Sequence, residues 1–264
     1  MNFKISKRIF YNALQTVARA ISPNSPLPAL SGIKIEVDQE SITLTGSDAD
    51  TSICKTLNST DEDLHLFVKE TGSIILESRY ILEIVRKIDA EDVEIEIIDG
   101  SLTRISGYQA EFKINGMRGN DYPSIDFSKP NVQFTMDSAL LSKIITQTIF
   151  ATSDKEIRPV LTGVNFKATG NRLECVATDS YRLAKKIVTL ENELNFNITI
   201  PSKSLSEVLK VLDEKEEVAI ALNDKKVQFY VGDTIIQNRL IDGAYPETGR
   251  LIPTDFDYVL DIDS

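Results

Sequence analysis

An internal repeat constrains this chain more than any other feature. Slid over itself so that Phe3 falls on Phe134, the sequence lines up without a gap for roughly fifty positions, bringing Ile5 onto Met136 and Ala20 onto Ala151. The stretch LSGIKIEVDQESITLTGSD at 30–48 falls on LTGVNFKATGNRLECVATD at 161–179, so Leu30 meets Leu161, Gly32 meets Gly163 and Asp48 meets Asp179. The register then drifts by a few residues, as changed loop lengths would cause. SRYILEIVRKI at 78–88 pairs with SKSLSEVLKVL at 202–212, and Tyr122-Pro123 pairs with Tyr245-Pro246. Self-similarity at a nearly fixed period means one structural unit used more than once. After the second Tyr-Pro, YVLDIDS has the alternating grammar of VQFTMDS, which opens the second repeat. The expected domains are therefore 1–128 and 129–254, with the start of a truncated third at 255–264.

Each repeat mixes two periodicities. Alternation is clear in GIKIEV (Ile33, Ile35, Val37), in VEIEII (Val93, Ile95, Ile97) and in EFKI, and it predicts half-buried strands. Helical spacing predicts segments at 7–20, 77–88, 138–151 and 202–212, the first with an apolar stripe of Phe10, Ala13, Leu14, Val17 and Ile21. The expected class is α+β: repeated domains, each with two helices packed on antiparallel sheets. An apolar fraction of 42% supports real cores, yet no stretch approaches the ~20 apolar residues of a membrane span. Cys54 and Cys175 lie far apart in no metal-like spacing, and MNFKISKRIF has no apolar leader segment. The expected location is the cytoplasm, with no membrane partner.

The formal charge of −11 argues at first against nucleic acid, but it is unevenly spread. The four helical segments hold Lys7, Arg8, Arg19, Arg79, Arg86, Lys87, Lys143, Lys203 and Lys210 against only Glu77, Glu83 and Glu207. Opposite the stripe of the first helix run Arg8, Asn12, Gln15 and Arg19. The second helix is expected to expose Arg79, Glu83 and Arg86, and its repeat partner to expose Lys203, Glu207 and Lys210 at matching places. If these helices share one side, they offer a sparse basic surface suited to loose contact with phosphates and not to reading bases. An acidic remainder would face the other way.

Chemical machinery is hard to find. His65 is the only histidine and reads as a solvated strand residue. Asp48 and Asp50 raise the thought of a carboxylate or metal hydrolase, but Asp48 aligns with Asp179 at the end of the same strand, and two turn-forming aspartates explain both. No glycine-rich phosphate loop or CxxC pair is present. No catalytic residue, metal or cofactor is expected. The puzzle lies elsewhere, in VATDSYRLAKK at 176–186, where a turn needs Asp179 and Ser180 but not Tyr181, Arg182 and Leu183 in a row.

At these residues the chain resembles a known family. MNFKISKRIFYNALQTVARAIS, LPALSGIKIE, LTGSDADTSI, RPVLTGVNF and above all VATDSYRLA are similar to the bacterial sliding clamp, the beta subunit of DNA polymerase III holoenzyme, in its Gram-positive form. The resemblance covers essentially the whole chain. It implies three similar domains per protomer and a head-to-tail homodimer ring when the third domain is present. In such a ring helices would line the hole and double-stranded DNA would pass through it, held without regard to sequence. It also implies a non-enzymatic role: tethering the replicative polymerase for processivity, and binding the clamp loader, repair polymerases and mismatch-repair proteins through short linear peptides.

By position, the peptide cleft would take Leu161, Thr178, Ser180, Tyr181, Arg182 and Leu183, with Pro246, Arg250 and Leu251 from the linker. Arg182 would offer donors to peptide carbonyls and Tyr181 a rigid amphipathic wall. Phe112 and Ile114 would lie at the dimer edge. The resemblance also places two loops at DNA, here holding Asn24 and Lys155; Asn24 departs from the basic residue common there, and Lys155 keeps the charge. The alternative is an acidic repeat scaffold that binds partner peptides without encircling DNA.

Overall fold

The computed structural model describes residues 1–22, 25–212 and 217–249. These form two compact units, Met1–Lys143 with Lys203–Leu240, and Ile144–Ser202 with the described residues after Leu240. Asn24, Arg250, Leu251 and the expected start of a third repeat at 255–264 lie outside the described residues.

In the first unit the chain passes twice through the same order of elements. The first pass is β1 (Asn2–Ser6), α1 (Lys7–Ala18), β2 (Gly32–Val37), β3 (Ser41–Ser47), β4 (Thr51–Asn58) and β5 (Phe67–Glu70). The second is β6 (Gly72–Glu77), α2 (Ser78–Lys87), β7 (Asp92–Asp99), β8 (Leu102–Gly107), β9 (Ala110–Asn115) and β10 (Met117–Arg118). The passes exchange their first strands. β1 lies between β5 and β7 in a sheet ordered β5-β1-β7-β8-β9, and β6 lies between β10 and β2 in the order β10-β6-β2-β3-β4. All these pairings are antiparallel, so a reciprocal duplication sits inside the larger repeat.

The helices follow the apolar spacing. Phe10, Ala13, Leu14 and Val17 of α1 are buried, and Phe10 meets Phe3 of β1 edge to face at 5.9 Å. Gly46 lets α1 come this close, because a Cβ there would sit 2.3 Å from the carbonyl oxygen of Val17. The helix stops at Ala18, two residues short of the expected end. Ala20 and Ile21 then turn on three-residue backbone bonds, leaving Ile21 only half-buried. α2 buries Ile81 and Val85 in the same way.

Part of the second repeat belongs to this unit. β11 (Val132–Asp137), β14 (Glu217–Leu222), β15 (Lys226–Val231) and β16 (Thr234–Arg239) pair in the order β11-β14-β15-β16, which copies β1-β7-β8-β9. β16 also pairs with β4, from Thr234 opposite Lys55 to Asn238 opposite Thr51, and so joins the two repeats into a nine-stranded sheet. α4 (Ser202–Val211) enters the unit at Lys203.

The second unit is dominated by one hairpin, β12 (Gly163–Thr178) on β13 (Leu183–Pro201), paired from Gly163 opposite Pro201 to Thr178 opposite Leu183. An irregularity between Gly170 and Arg172 interrupts the ladder, with Gly170 at φ 63°. The segment expected as one helix at 138–151 is α3 (Ser138–Thr148) followed by a 3₁₀ turn at Ile149–Ala151.

The first repeat breaks the stretch equivalent to β13 with a loop, and this corrects the reading of His65. The residue is not on a strand. It closes a 3₁₀ turn at φ 50°, and its Nδ1 lies 2.9 Å from Asp92, whose other oxygen holds Lys4 at 2.9 Å. The hydrogen bond to Asp92 holds the imidazole pKa above its ordinary value.

Candidate functional site

The turn that closes β12 and β13 is built by Asp179. Its Oδ1 accepts the backbone N–H groups of Tyr181 (2.9 Å) and Arg182 (3.0 Å), as a short acidic side chain does in an Asx turn. Thr178 Oγ1 accepts from Ser180 N–H at 3.1 Å and donates to the carbonyl of Arg182 at 2.7 Å. Ser180 adopts φ 78°, a left-handed conformation that costs a residue with a Cβ about 1 kcal/mol and is retained here under this network. The network fixes the backbone at Tyr181, whose side chain is 98% exposed, beside an exposed Arg182 and a half-buried Leu183.

The expected peptide-wall residues therefore divide in two. Leu161 and Thr178 are buried beneath the surface, while Ser180, Tyr181, Arg182, Leu183 and Pro246 reach it. Arg182 is less free than expected, because its Nε is committed to Asp179 Oδ2 at 2.9 Å. That leaves the terminal nitrogens of the guanidinium as donors for a ligand. The backbone N–H groups of Arg182 and Tyr181, with the nearby guanidinium, hold the Asp179 carboxyl below the ordinary aspartate value.

Sequence reasoning missed the anchor under this turn. Tyr245 accepts the backbone N–H of Thr178 on its phenol oxygen at 3.0 Å, and burial pushes its pKa up. Beside it, Ile241 N–H donates to the carbonyl of Thr199 at 2.9 Å, fixing the linker to β13. The signal was present in the repeated Tyr-Pro. In the first repeat Tyr122 is buried against Leu30 and Ile75, with its phenol at the Ser47 backbone but without a well-formed hydrogen bond.

All the expected DNA-facing residues that are described, Arg8, Arg19, Arg79, Arg86, Lys143, Lys155, Lys203 and Lys210, are exposed. Their charges are not equally available. Glu83 pairs with Arg86 (2.9 Å) and Lys87 (3.4 Å). Glu207, expected on the surface, is half-buried and lies between Lys210 (2.8 Å) and Arg19 (3.9 Å). Lys203 reaches Asp48 at 3.1 Å. Among the described residues, Arg8, Arg79, Lys143 and Lys155 make no ion pair; the other four do. Lys7, Arg8, Tyr11, His65 and Arg86 also line a cavity of about 620 Å³ in the first unit.

Asp48 is committed to its turn and to Lys203. Its Oδ1 accepts the N–H groups of Thr51 (2.8 Å) and Asp50 (3.2 Å), its Oδ2 holds Lys203, and no cluster of three metal-type ligands occurs among the described residues. Among those residues no helix is long and apolar enough to cross a membrane. β9, which carries Phe112 and Ile114, is an edge strand of its sheet, and Phe112 is 39% exposed.

A duplicated α+β pattern whose two repeats share a sheet within the first unit, with basic helix residues and one exposed turn, is that of a clamp-type accessory protein. Comparison with known proteins makes this specific. Residues 1–126 match the N-terminal domain of the DNA polymerase III beta subunit, and residues 135–247 match its central domain. The beta sliding clamp of Halalkalibacterium halodurans is 39% identical over 97% of this chain and 69% of its own length. The crystal structure of the DNA polymerase sliding clamp from Bacillus subtilis superposes with a TM-score of 0.94 at 38% identity, over 97% of this chain and 68% of that one. A more distant clamp structure, from Bartonella birtlesii bound to griselimycin, gives 0.87 at 25% identity, over 96% and 68%. The chain belongs to the beta sliding clamp family.

Proposed function

We propose that this protein works as a sliding clamp: a ring of such repeats encircles duplex DNA and tethers the replicative polymerase, without catalysing a reaction itself. The observation that carries the ring is the junction of β4 with β16. β16 occupies the place in the second repeat that β9 occupies in the first, since the Tyr-Pro that follows each marks the same register. β16 is paired on its outer side and β9 is a sheet edge. Residues 182–189 match β4 in turn. One junction is thus made within the chain, and its two halves recur at β9 and at 182–189. An unpaired edge strand is a ready template for another chain. In this reading Phe112 and Ile114 meet a further repeat of the second protomer, and the repeats 1–128 and 129–254 are the first two clamp domains of a homodimer ring in the cytoplasm.

The helices would face the DNA with Arg8, Arg79 and Lys143 supplying unshared charge, joined by Lys155 from its loop, and with Arg19, Arg86, Lys203 and Lys210 adding to it. Such sparse contact suits a ring whose retention is topological, and the acidic remainder of the chain discourages sticking elsewhere. Residues 178–183 with Leu161 and Pro246 would receive short peptides from the polymerase, the clamp loader, repair polymerases and mismatch-repair proteins.

The test is geometric. Full-length protein loaded on nicked circular DNA is expected to stay bound through high salt and to leave when the circle is cut. Loss from circular and linear DNA alike at moderate salt would mean ordinary electrostatic binding and would overturn the ring. Charge reversal at Arg8, Arg79 and Lys143 together is expected to cut loading severalfold; unchanged loading would favour a peptide scaffold that does not hold DNA.

A further inference from the structure

The two repeats contain the same turn, and they spend its aspartate differently. At the first turn, Asp48 Oδ1 caps the N–H groups of Asp50 and Thr51, Ser47 Oγ accepts from Ala49 N–H at 3.0 Å, and Ala49 lies at φ 81°. At the second, Asp179, Thr178 and Ser180 repeat all three features. The difference is the second carboxylate oxygen. Asp48 Oδ2 holds Lys203 of α4, and Thr51 Oγ1 lies 3.1 Å from Ser204 Oγ, so the first turn is latched to the next helix. Asp179 Oδ2 holds Arg182 of its own turn.

We propose that Asp179 is a positioning residue for partner binding. It fixes the Tyr181–Arg182 backbone with one oxygen and the Arg182 side chain with the other, so that a peptide meets a preformed wall. This rests on the reading of 178–183 as that wall. The ligand class follows from what is held: an apolar side chain to lie on Tyr181 and Leu183, and a carbonyl or carboxylate for the terminal nitrogens of Arg182. Neutralising its own aspartate also frees the turn from any need for a lysine latch, which leaves Tyr181 uncovered in the described structure. A preformed wall raises affinity because less ordering has to occur on binding.

The experiment uses full-length protein and, as probe, a short synthetic peptide ending in leucine with a free carboxylate, with affinity read by calorimetry and folding by thermal melting. Asp179→Ala is expected to bind about tenfold more weakly with the melting temperature little changed. Asp179→Asn keeps the Oδ1 acceptor and loses the Arg182 pair, so it is expected to fall between the two. Since the residue acts partly through Arg182, Asp179→Asn combined with Arg182→Ala is expected to bind no more weakly than Arg182→Ala alone. Asp48→Ala, in the matching turn, is expected to bind like the unaltered protein.

Full affinity in both Asp179 variants, with binding lost in Leu183→Ala, would overturn the positioning role and leave the wall in place. Full affinity in Leu183→Ala and Arg182→Ala would overturn the wall and this inference with it. Should Asp179→Ala fail to fold, the additivity of the Asn and Arg182→Ala changes decides: additive losses refute the coupling.

Discussion

The turns at residues 47–51 and 178–182 share a backbone, a capping aspartate and a left-handed third residue, yet one is structural and the other is presented. The first has Asp50 and Thr51 where the second has Tyr181 and Arg182. Thr51 is buried and bonded to Ser204, whereas Tyr181 is almost fully exposed. The lesson is that duplication fixes the scaffold while two side chains decide its use. A short polar pair lets the next helix close over the turn. A large aromatic beside an arginine that satisfies its own aspartate leaves the same scaffold as a surface.

The tyrosines beneath the turns offer the strongest way to break this comparison. Tyr245→Phe removes the acceptor of a buried backbone N–H on Thr178, and leaving such a group unpaired costs about 1–3 kcal/mol. Tyr122→Phe removes a buried phenol that makes no well-formed bond, so the loss there is expected to be under about 0.5 kcal/mol, or a small gain. Urea unfolding of both variants measures the contrast. Equal losses would show that both phenols anchor their turns alike.

The aspartates give the next largest difference. Asp48→Ala uncaps Thr51 N–H at a buried residue and releases Lys203, with an expected cost of about 1–2 kcal/mol, most of it from the cap because an exposed ion pair contributes little. Asp179→Ala is expected to cost less, since the N–H groups of Tyr181 and Arg182 are at the surface and water can replace the carboxylate. Denaturation midpoints order the two. A larger loss at Asp179 would mean that the presented turn, and not the latched one, carries stability.

Much of this was legible in the sequence because duplication exposes what a single copy hides. The alignment of Asp48 with Asp179 identified both as turn formers, and apolar spacing located Phe10, Ala13, Leu14 and Val17 on the buried face of α1. What escaped was pairing between distant segments. β4 and β16 are far apart in the chain, and alternation says which face of a strand is buried but not which strand lies beside it. The merging of residues 163–201 into one long hairpin was hidden for the same reason, since these residues alternate much as their counterparts do. Glu207 read as a surface residue because spacing counts charges without their partners, and Arg19 and Lys210 converge on it from two helices. The wall residues came from resemblance; Asp179 and Tyr245, which hold the wall together, are visible only once the hydrogen bonds are.

The smallest effect concerns acid. The Asp179 carboxyl sits below the ordinary aspartate value of 3.8, chiefly because the backbone N–H groups of Arg182 and Tyr181 favour its charged form. A carboxylate with a depressed folded pKa contributes its full stabilisation above the unfolded value and loses it as pH falls through the folded one. The turn is therefore expected to hold from neutral pH down through the usual aspartate range and to loosen only below 3.8. The amide shifts of Tyr181 and Arg182, followed by NMR during acid titration, report this directly, and in Asp179→Asn the inflection should vanish. Because the carboxylate caps a surface turn whose N–H groups water can reach, global stability should barely register the change. An inflection at or above 3.8 would mean that the two N–H groups do not hold the carboxylate in solution. The difference between the turns would then rest on Tyr181 and Arg182 alone.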